Sequence, residues 1–219
     1  MTKVVVFGNE LVAELAHYYL THDSPYEIAA FTVNQNYISS PEFCGIPLVP
    51  FETITETHPP SEYLFFAPLS ERKMNAIRAK IYQEAKDLGY QFISYISSKA
   101  TVLTENIGEN CFILEDNTIQ PFVTIGNNVV LWSGNHIGHH STIEDHVYFT
   151  SHVVLSGRCR VGAYSFFGVN ATIRDGCQLG EGTLVAMGAN VTRPKTDAWS
   201  IWKGNPAVKS EVSSKDINL

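Results

Sequence analysis

The chain has 219 residues, of which 44% are hydrophobic and 17% charged, and its formal net charge is −7. That is the composition of a globular protein with room for two modest domains, and it lacks the clustered Lys and Arg that a nucleic-acid partner requires. The apolar run Val4–Phe7 near the N-terminus is too short for a signal peptide or a membrane span, which predicts a cytoplasmic protein with no membrane contact.

Residues 3–8 read as a strand ending in Gly8, and Leu11, Val12, Leu15, Ala16, Tyr19 and Leu20 then share one helical face. Further strands are predicted at 27–33, 46–49 and 63–67. Ser70 would cap a helix with the apolar face Met74, Ile77, Ile81, Ala85 and Leu88, ended by Gly89, and a last strand runs over 92–96. Strands and helices alternating at this spacing predict a small Rossmann-like parallel α/β domain over residues 1–97. Ligands of such sheets sit beyond the carboxyl ends of the strands, beside the N-terminus of the following helix. The turn Gly8-Asn9-Glu10 lacks GxGxxG, which argues against a dinucleotide. Gly8, Asn9, Thr32 and Asn34 are candidates for holding the nucleotide of a substrate, or are ordinary loop polars, and Glu10 would repel phosphate unless it points away.

From Asn106 to Thr192 a hydrophobic residue returns at every sixth position, from Ile107, Ile113 and Ile119 through to Val185 and Val191. Four places after each stands a small or β-branched residue or asparagine, among them Cys111, Asn117, Val123, Ala171 and Ala189. Neither a helix nor a hairpin keeps such a register, whereas hexapeptide repeats specify a parallel β-helix, predicted here over 98–195. Three hexads close one triangular coil, and coils rising about 4.8 Å each would give a prism roughly 24 Å tall. Gly108, Gly126, Gly138, Gly162, Gly168 and Gly180 follow the inward aliphatic, where tight turns with positive φ are expected. Arg193 to Ala198 leave the register, and residues 196–219 are read as a C-terminal cap and tail; Trp199 and Trp202 would cap the open end, and the polar tail beyond would fray.

Cys111, Cys159 and Cys177 fall in the inward small-residue column, so packing explains them and no disulfide framework is expected. Five histidines lie between 136 and 152. His140, His146 and His152 are six apart and must occupy different faces, which argues against a metal. His139 differs because its neighbour one coil above, eighteen residues on, is Gly157. A glycine above a histidine opens a groove where a neutral imidazole could act as general base, with His140, Glu144 or Asp145 to orient it; the alternative is a set of solvated turn histidines.

The hexads, the segment Asn135-His136-Ile137-Gly138-His139-His140 and the later Gly204-Asn205-Pro206-Ala207 closely resemble bacterial left-handed β-helix acyltransferases. With its α/β unit, the chain is similar to the sialic acid O-acetyltransferase and nucleotide-aminosugar N-acetyltransferase group. The resemblance implies a left-handed coil, a homotrimer with sites between subunits, and acetyl-CoA as co-substrate. It places the base on His139, puts His140 where the family has Glu or Asp, and maps coenzyme contacts to Gly157, Val169, Met187 and Gly188. The implied reaction is N-acetylation of a nucleotide-linked amino-deoxysugar for surface glycan synthesis. The alternatives are O-acetylation of a sugar hydroxyl, a γ-type carbonic anhydrase, whose histidine spacing the cluster lacks, and a non-catalytic scaffold, which would show no thermal shift with CoA.

Overall fold

Residues 2–217 are described by the structure, a computed structural model; Met1, Asn218 and Leu219, at the ends of the predicted first domain and tail, lie outside the described residues. The N-terminal elements are β1 (Thr2–Phe7), α1 (Leu11–His22), β2 (Tyr26–Val33), β3 (Glu42–Phe43), β4 (Ile46–Pro50), α2 (Ile54–Thr57), β5 (Leu64–Phe66) and α3 (Ala76–Asp87). They build a five-stranded sheet in the order β3-β4-β2-β1-β5. Val4, Val5 and Val6 are buried on both faces of β1, as an interior parallel strand requires. At one edge, β3 and β4 form an antiparallel hairpin that the sequence reading had not resolved, turning on Cys44 and Gly45 at positive φ.

The helix predicted from Ser70 begins instead at Ala76. Lys73, Met74 and Asn75 have φ of 54°, 50° and 65°, a left-handed turn through which no α-helix continues. The later start changes the buried face: Arg78, Ile81, Tyr82 and Ala85 are buried, while Ile77 and Leu88 are exposed. Asn75 Nδ2 donates to the carbonyls of Tyr164 and Ser165, and so fastens this turn to the second half of the chain.

That half is a parallel β-helix of two-residue strands stacked in three sheets. Val130 pairs with Tyr148, His136 with Val154 and Thr124 with Thr142, each eighteen residues on. Both predicted inward columns are buried along the prism, from Cys111 and Ile113 through Phe149 and Phe167 to Ala189 and Val191. The positive-φ corners recur at every sixth residue from Asn110 to Gly188, and most are not glycine: Phe122, His140, His146, His152, Arg158 and Tyr164 are among them. The glycines after the inward aliphatics have another reason. A Cβ on Gly138 would stand 2.5 Å from the Gly157 nitrogen, and one on Gly162 2.5 Å from the Glu181 nitrogen, so these residues let successive coils touch.

The β-helix starts earlier than the hexads do. Of the predicted strand 92–96, only Phe92 bridges the N-terminal sheet, to Phe65, while Tyr95–Ile96 pairs with Phe112–Ile113 in the β-helix. At the far end Ser200–Lys203 adds to the same sheet, and Trp202 and Ala207 close the core. The tail does not fray over its described part: Val208–Ser213 pairs antiparallel with Ser200–Lys203.

Asp23, after α1, ties the N-terminal unit to the first coil. Its carboxylate accepts from the Ser98 N–H at 2.9 Å, the Tyr95 hydroxyl at 2.7 Å and the Ser97 hydroxyl at 3.2 Å. Hydrogen bonds from Ser98 first, then from Tyr95, hold its pKa down to about 2 from an ordinary 3.8. A depressed carboxyl pKa stabilises the fold above its unfolded value and ceases to as pH falls through its folded one. The Asp23→Asn protein is therefore expected to be less stable than wild type at neutral pH, with the gap narrowing between about pH 4 and pH 2, as urea midpoints measure.

Candidate active site

His139 and His140 follow the strand His136–Ile137, at the corner between the six-stranded and four-stranded faces. The six-residue period requires a left-handed residue at 140, and His140 adopts φ 57° there, a conformation for which histidine is among the better-tolerated side chains. The His139 N–H donates to Gln120 Oε1 at 2.8 Å, which fixes the backbone below the imidazole. Nδ1 of His139 and Nδ1 of His140 are 3.0 Å apart with the rings nearly perpendicular, and His140 packs on Phe122. The other edge of the His139 ring lies against Gly157, where a Cβ would come within 2.8 Å of Nε2. The Gly157 N–H has no acceptor among the described residues.

Register extends this column upward. His136, Val154, Thr172 and Asn190 stack in one sheet, so the residues three places later, His139, Gly157 and Asp175, stack along one edge of the prism; past Val191 the offset shortens to seventeen, with Gln178 bridging Lys195, and Arg193 follows this edge out of register. Asp175 is paired with Arg158, and its carboxyl pKa is lowered, mainly by that hydrogen-bonded guanidinium, with His139 and Arg174 adding attraction. Arg193 opens onto a pocket of 250 Å³ that Lys195, Lys209, Asp197 and Trp202 also line. The column thus runs from an imidazole past a glycine gap to a cluster of cations, about 14 Å away at three coils of 4.8 Å.

The other residues singled out in the sequence lie elsewhere. Val169, Met187 and Gly188 stack at the opposite edge of the six-stranded face, with Met187 78% exposed, so one chain does not bring them to His139. Glu144 and Asp145 do not orient the base: Glu144 accepts from the Ala163 N–H and pairs with Arg160, and Asp145 accepts from the Asn127 N–H. His146 is held neutral, its pKa pushed down to about 4 by burial first and by Arg78 next.

In the N-terminal unit Gly8, at φ +132°, donates to Thr32 O at 2.9 Å, Asn9 Nδ2 donates to Tyr37 O at 3.0 Å, and Asn34 Nδ2 donates to Glu52 Oε1 at 3.1 Å. These groups rim the carboxyl ends of β1 and β2. Thr32 is wholly buried and its hydroxyl donates to Val49 O at 2.9 Å, which takes it out of the candidate surface. Glu10 is turned toward Arg72 at 3.5 Å.

Residues 106–138 and 123–157 match the bacterial transferase hexapeptide family (six repeats). Over 96% of its length the chain superposes on 97% of a mutant of perosamine N-acetyltransferase from Caulobacter crescentus, solved with CoA and GDP-perosamine, with a TM-score of 0.83 and 21% identity. It superposes likewise on the acetyltransferase domain of PglB from Neisseria gonorrhoeae (TM-score 0.80, 24% identity, 96% of this chain and 100% of that one). WeeI from Acinetobacter baumannii gives a TM-score of 0.74 at 21% identity, over 95% of this chain and 100% of that one. The likeness is one of fold, a small parallel α/β unit followed by a parallel β-helix.

Asp175, Arg193 and the cations around it were missed in the sequence; the eighteen-residue arithmetic that joined His139 to Gly157 reaches Asp175 in one further step, but the cations lie where the period ends. Among the described residues no helix is long and apolar enough to cross a membrane. The packing of His139 on Gly157 predicts a clean test. Gly157→Ala should fold, because the new methyl meets only the far end of a side chain, but should displace the imidazole and lower any turnover about 100-fold. Gly138→Ala, whose methyl meets backbone, should instead destabilise the protein, and urea denaturation beside activity separates the two.

Proposed function

We propose that the protein transfers an acetyl group from acetyl-CoA to the amino group of a nucleotide-linked amino-deoxysugar, in the cytoplasm, as a homotrimer. The observation that carries this reading is the edge column: an imidazole Nε2 over a glycine gap, leading to a cation-lined pocket. A thioester at Gly157 would have its pantetheine arm along the prism and its phosphates near Arg193, Lys195 and Lys209, where positive charge favours them. In a trimer, the edge bearing His139 would face the Val169, Met187 and Gly188 edge of a neighbouring subunit, which is how residues separated in one chain would line one groove. The rim formed by Gly8, Asn9 and Asn34 would hold the nucleotide, so that binding energy remote from the reaction positions the amine.

In the reaction the amine nitrogen attacks the thioester carbon as His139 Nε2 takes its proton. The Gly157 N–H, free to donate, would stabilise the oxyanion, and the C–S bond then breaks to release CoA thiolate, which is reprotonated from solvent or His139. The relatives solved with GDP-perosamine and with acetyl-CoA support an amine acceptor. The test is thiol release from acetyl-CoA with UDP-, dTDP- and GDP-linked amino sugars, alongside sedimentation for the trimer. Release with one amine identifies the substrate; no release with any, despite a thermal shift by CoA, rejects the amine reading.

A further inference from the structure

Among the described residues, the pair formed by His139 and His140 has no carboxylate in hydrogen-bond contact: Nδ1 faces Nδ1 at 3.0 Å, Phe122 lies against His140, and Gln120 is taken up by the His139 backbone. Arg158 stands one coil above His140 but is paired with Asp175, and Glu144 and Asp145 are engaged elsewhere. Two facing nitrogens make a hydrogen bond only if one carries the proton and the other the lone pair. A base that works through Nε2 needs its own proton on Nδ1. We infer that His140 is a neutral positioning residue, whose Nδ1 lone pair accepts the Nδ1–H of His139 and so keeps the His139 lone pair on Nε2, over Gly157.

The consequence is a base oriented without a fixed negative charge. When Nε2 gains the substrate proton, the imidazolium keeps its Nδ1–H bond to His140, and no proton passes between the rings. The charged groups facing the pair are Asp175, Arg158 and Arg174 above, with Asp175 paired to Arg158 and drawn also toward His139 and Arg174; Phe122 and Gln120 below are uncharged.

The kinetic arm rests on the acetyl-transfer reading; the spectroscopic arm does not. In the free protein at pH 8, ¹⁵N-labelled histidine spectra should show His139 as the Nδ1–H tautomer, and His140→Phe, which keeps the ring packed on Phe122, should return it to a mixture. With substrate, H140F should lower kcat severalfold, in proportion to the Nδ1–H tautomer lost, at unchanged KM for acetyl-CoA. His140→Glu should restore kcat, because a carboxylate accepts the same Nδ1–H and holds the same tautomer. An Nε2–H tautomer for His139 in the wild type overturns the inference, as does an H140F protein whose tautomer is unchanged. If no amine is acetylated while the Nδ1–H tautomer and its dependence on His140 are seen, the pairing stands and the substrate reading falls.

Discussion

Alanine at His139 should lower acetyl transfer by about 100- to 10,000-fold, the usual worth of a positioned general base. The mechanism explains why the loss falls on kcat. Under the proposed mechanism His139 would engage the amine only as charge develops on nitrogen, so its removal would cost the transition state what it does not cost the bound ground state. The affinity for CoA should hold, because the cations of the far pocket and the coil backbone are unchanged. Stability should hold too: His139 is exposed, and surface substitutions of this kind stay within about 0.5 kcal/mol. The space left over Gly157 opens to solvent, so added imidazole should recover part of the rate. Turnover within threefold of wild type in the alanine protein would remove His139 from the reaction and leave His140, His146 and His152 the role their backbone already explains, that of left-handed corner residues.

The prism was legible because each hexad repeats one physical demand, an aliphatic and a small residue turned inward, and each repetition tests the last. Reading failed where the period does. Ile96 and Val102 are in register with Ile113 and Ile119, but only five residues separate Val102 from Ile107, so the first coil is seventeen residues and the arithmetic begins one coil late. The start of α3 was hidden for another reason: Met74 and Asn75 favour helix and loop in no decisive way, and their left-handed backbone is imposed by docking on Tyr164 and Ser165, some ninety positions away. In the site, spacing put Gly157 over His139, since a column needs only counting. It could not tell that Thr32 is spent on Val49, because that depends on which strand lies beside β2. Nor could it tell that Arg78, a charged residue on a surface-looking helix, is the joint between the two halves.

Arg78 to methionine should be the most destabilising single change outside the prism core, at roughly 3 kcal/mol. The guanidinium is 1% exposed. It donates to the Asn128 carbonyl at 2.7 Å, to Asn128 Oδ1 at 3.0 Å and to Asn75 Oδ1 at 3.2 Å, and sits 5.4 Å over the Tyr148 ring. Burial pushes its pKa down to about 10, and it remains a cation at neutral pH. A buried charge without a carboxylate contact is costly in itself, and a hydrophobic replacement removes that cost. The balance turns on what it leaves behind. Asn128 Oδ1 keeps a donor in Asn110 at 2.9 Å, but the Asn128 carbonyl and Asn75 Oδ1 would stay buried with none, at about 1–3 kcal/mol each. Asn75 would also lose the partner that orients its own bonds to Tyr164 and Ser165, so the docking of α3 weakens with it. A drop of roughly 10 °C in Tm, at 2–4 °C per kcal/mol for a chain of this size, is the expected reading. A fall of less than about 2 °C would mean that relief of the buried charge outweighs the two orphaned acceptors, and that Arg78 adds no net stability to the joint between the halves.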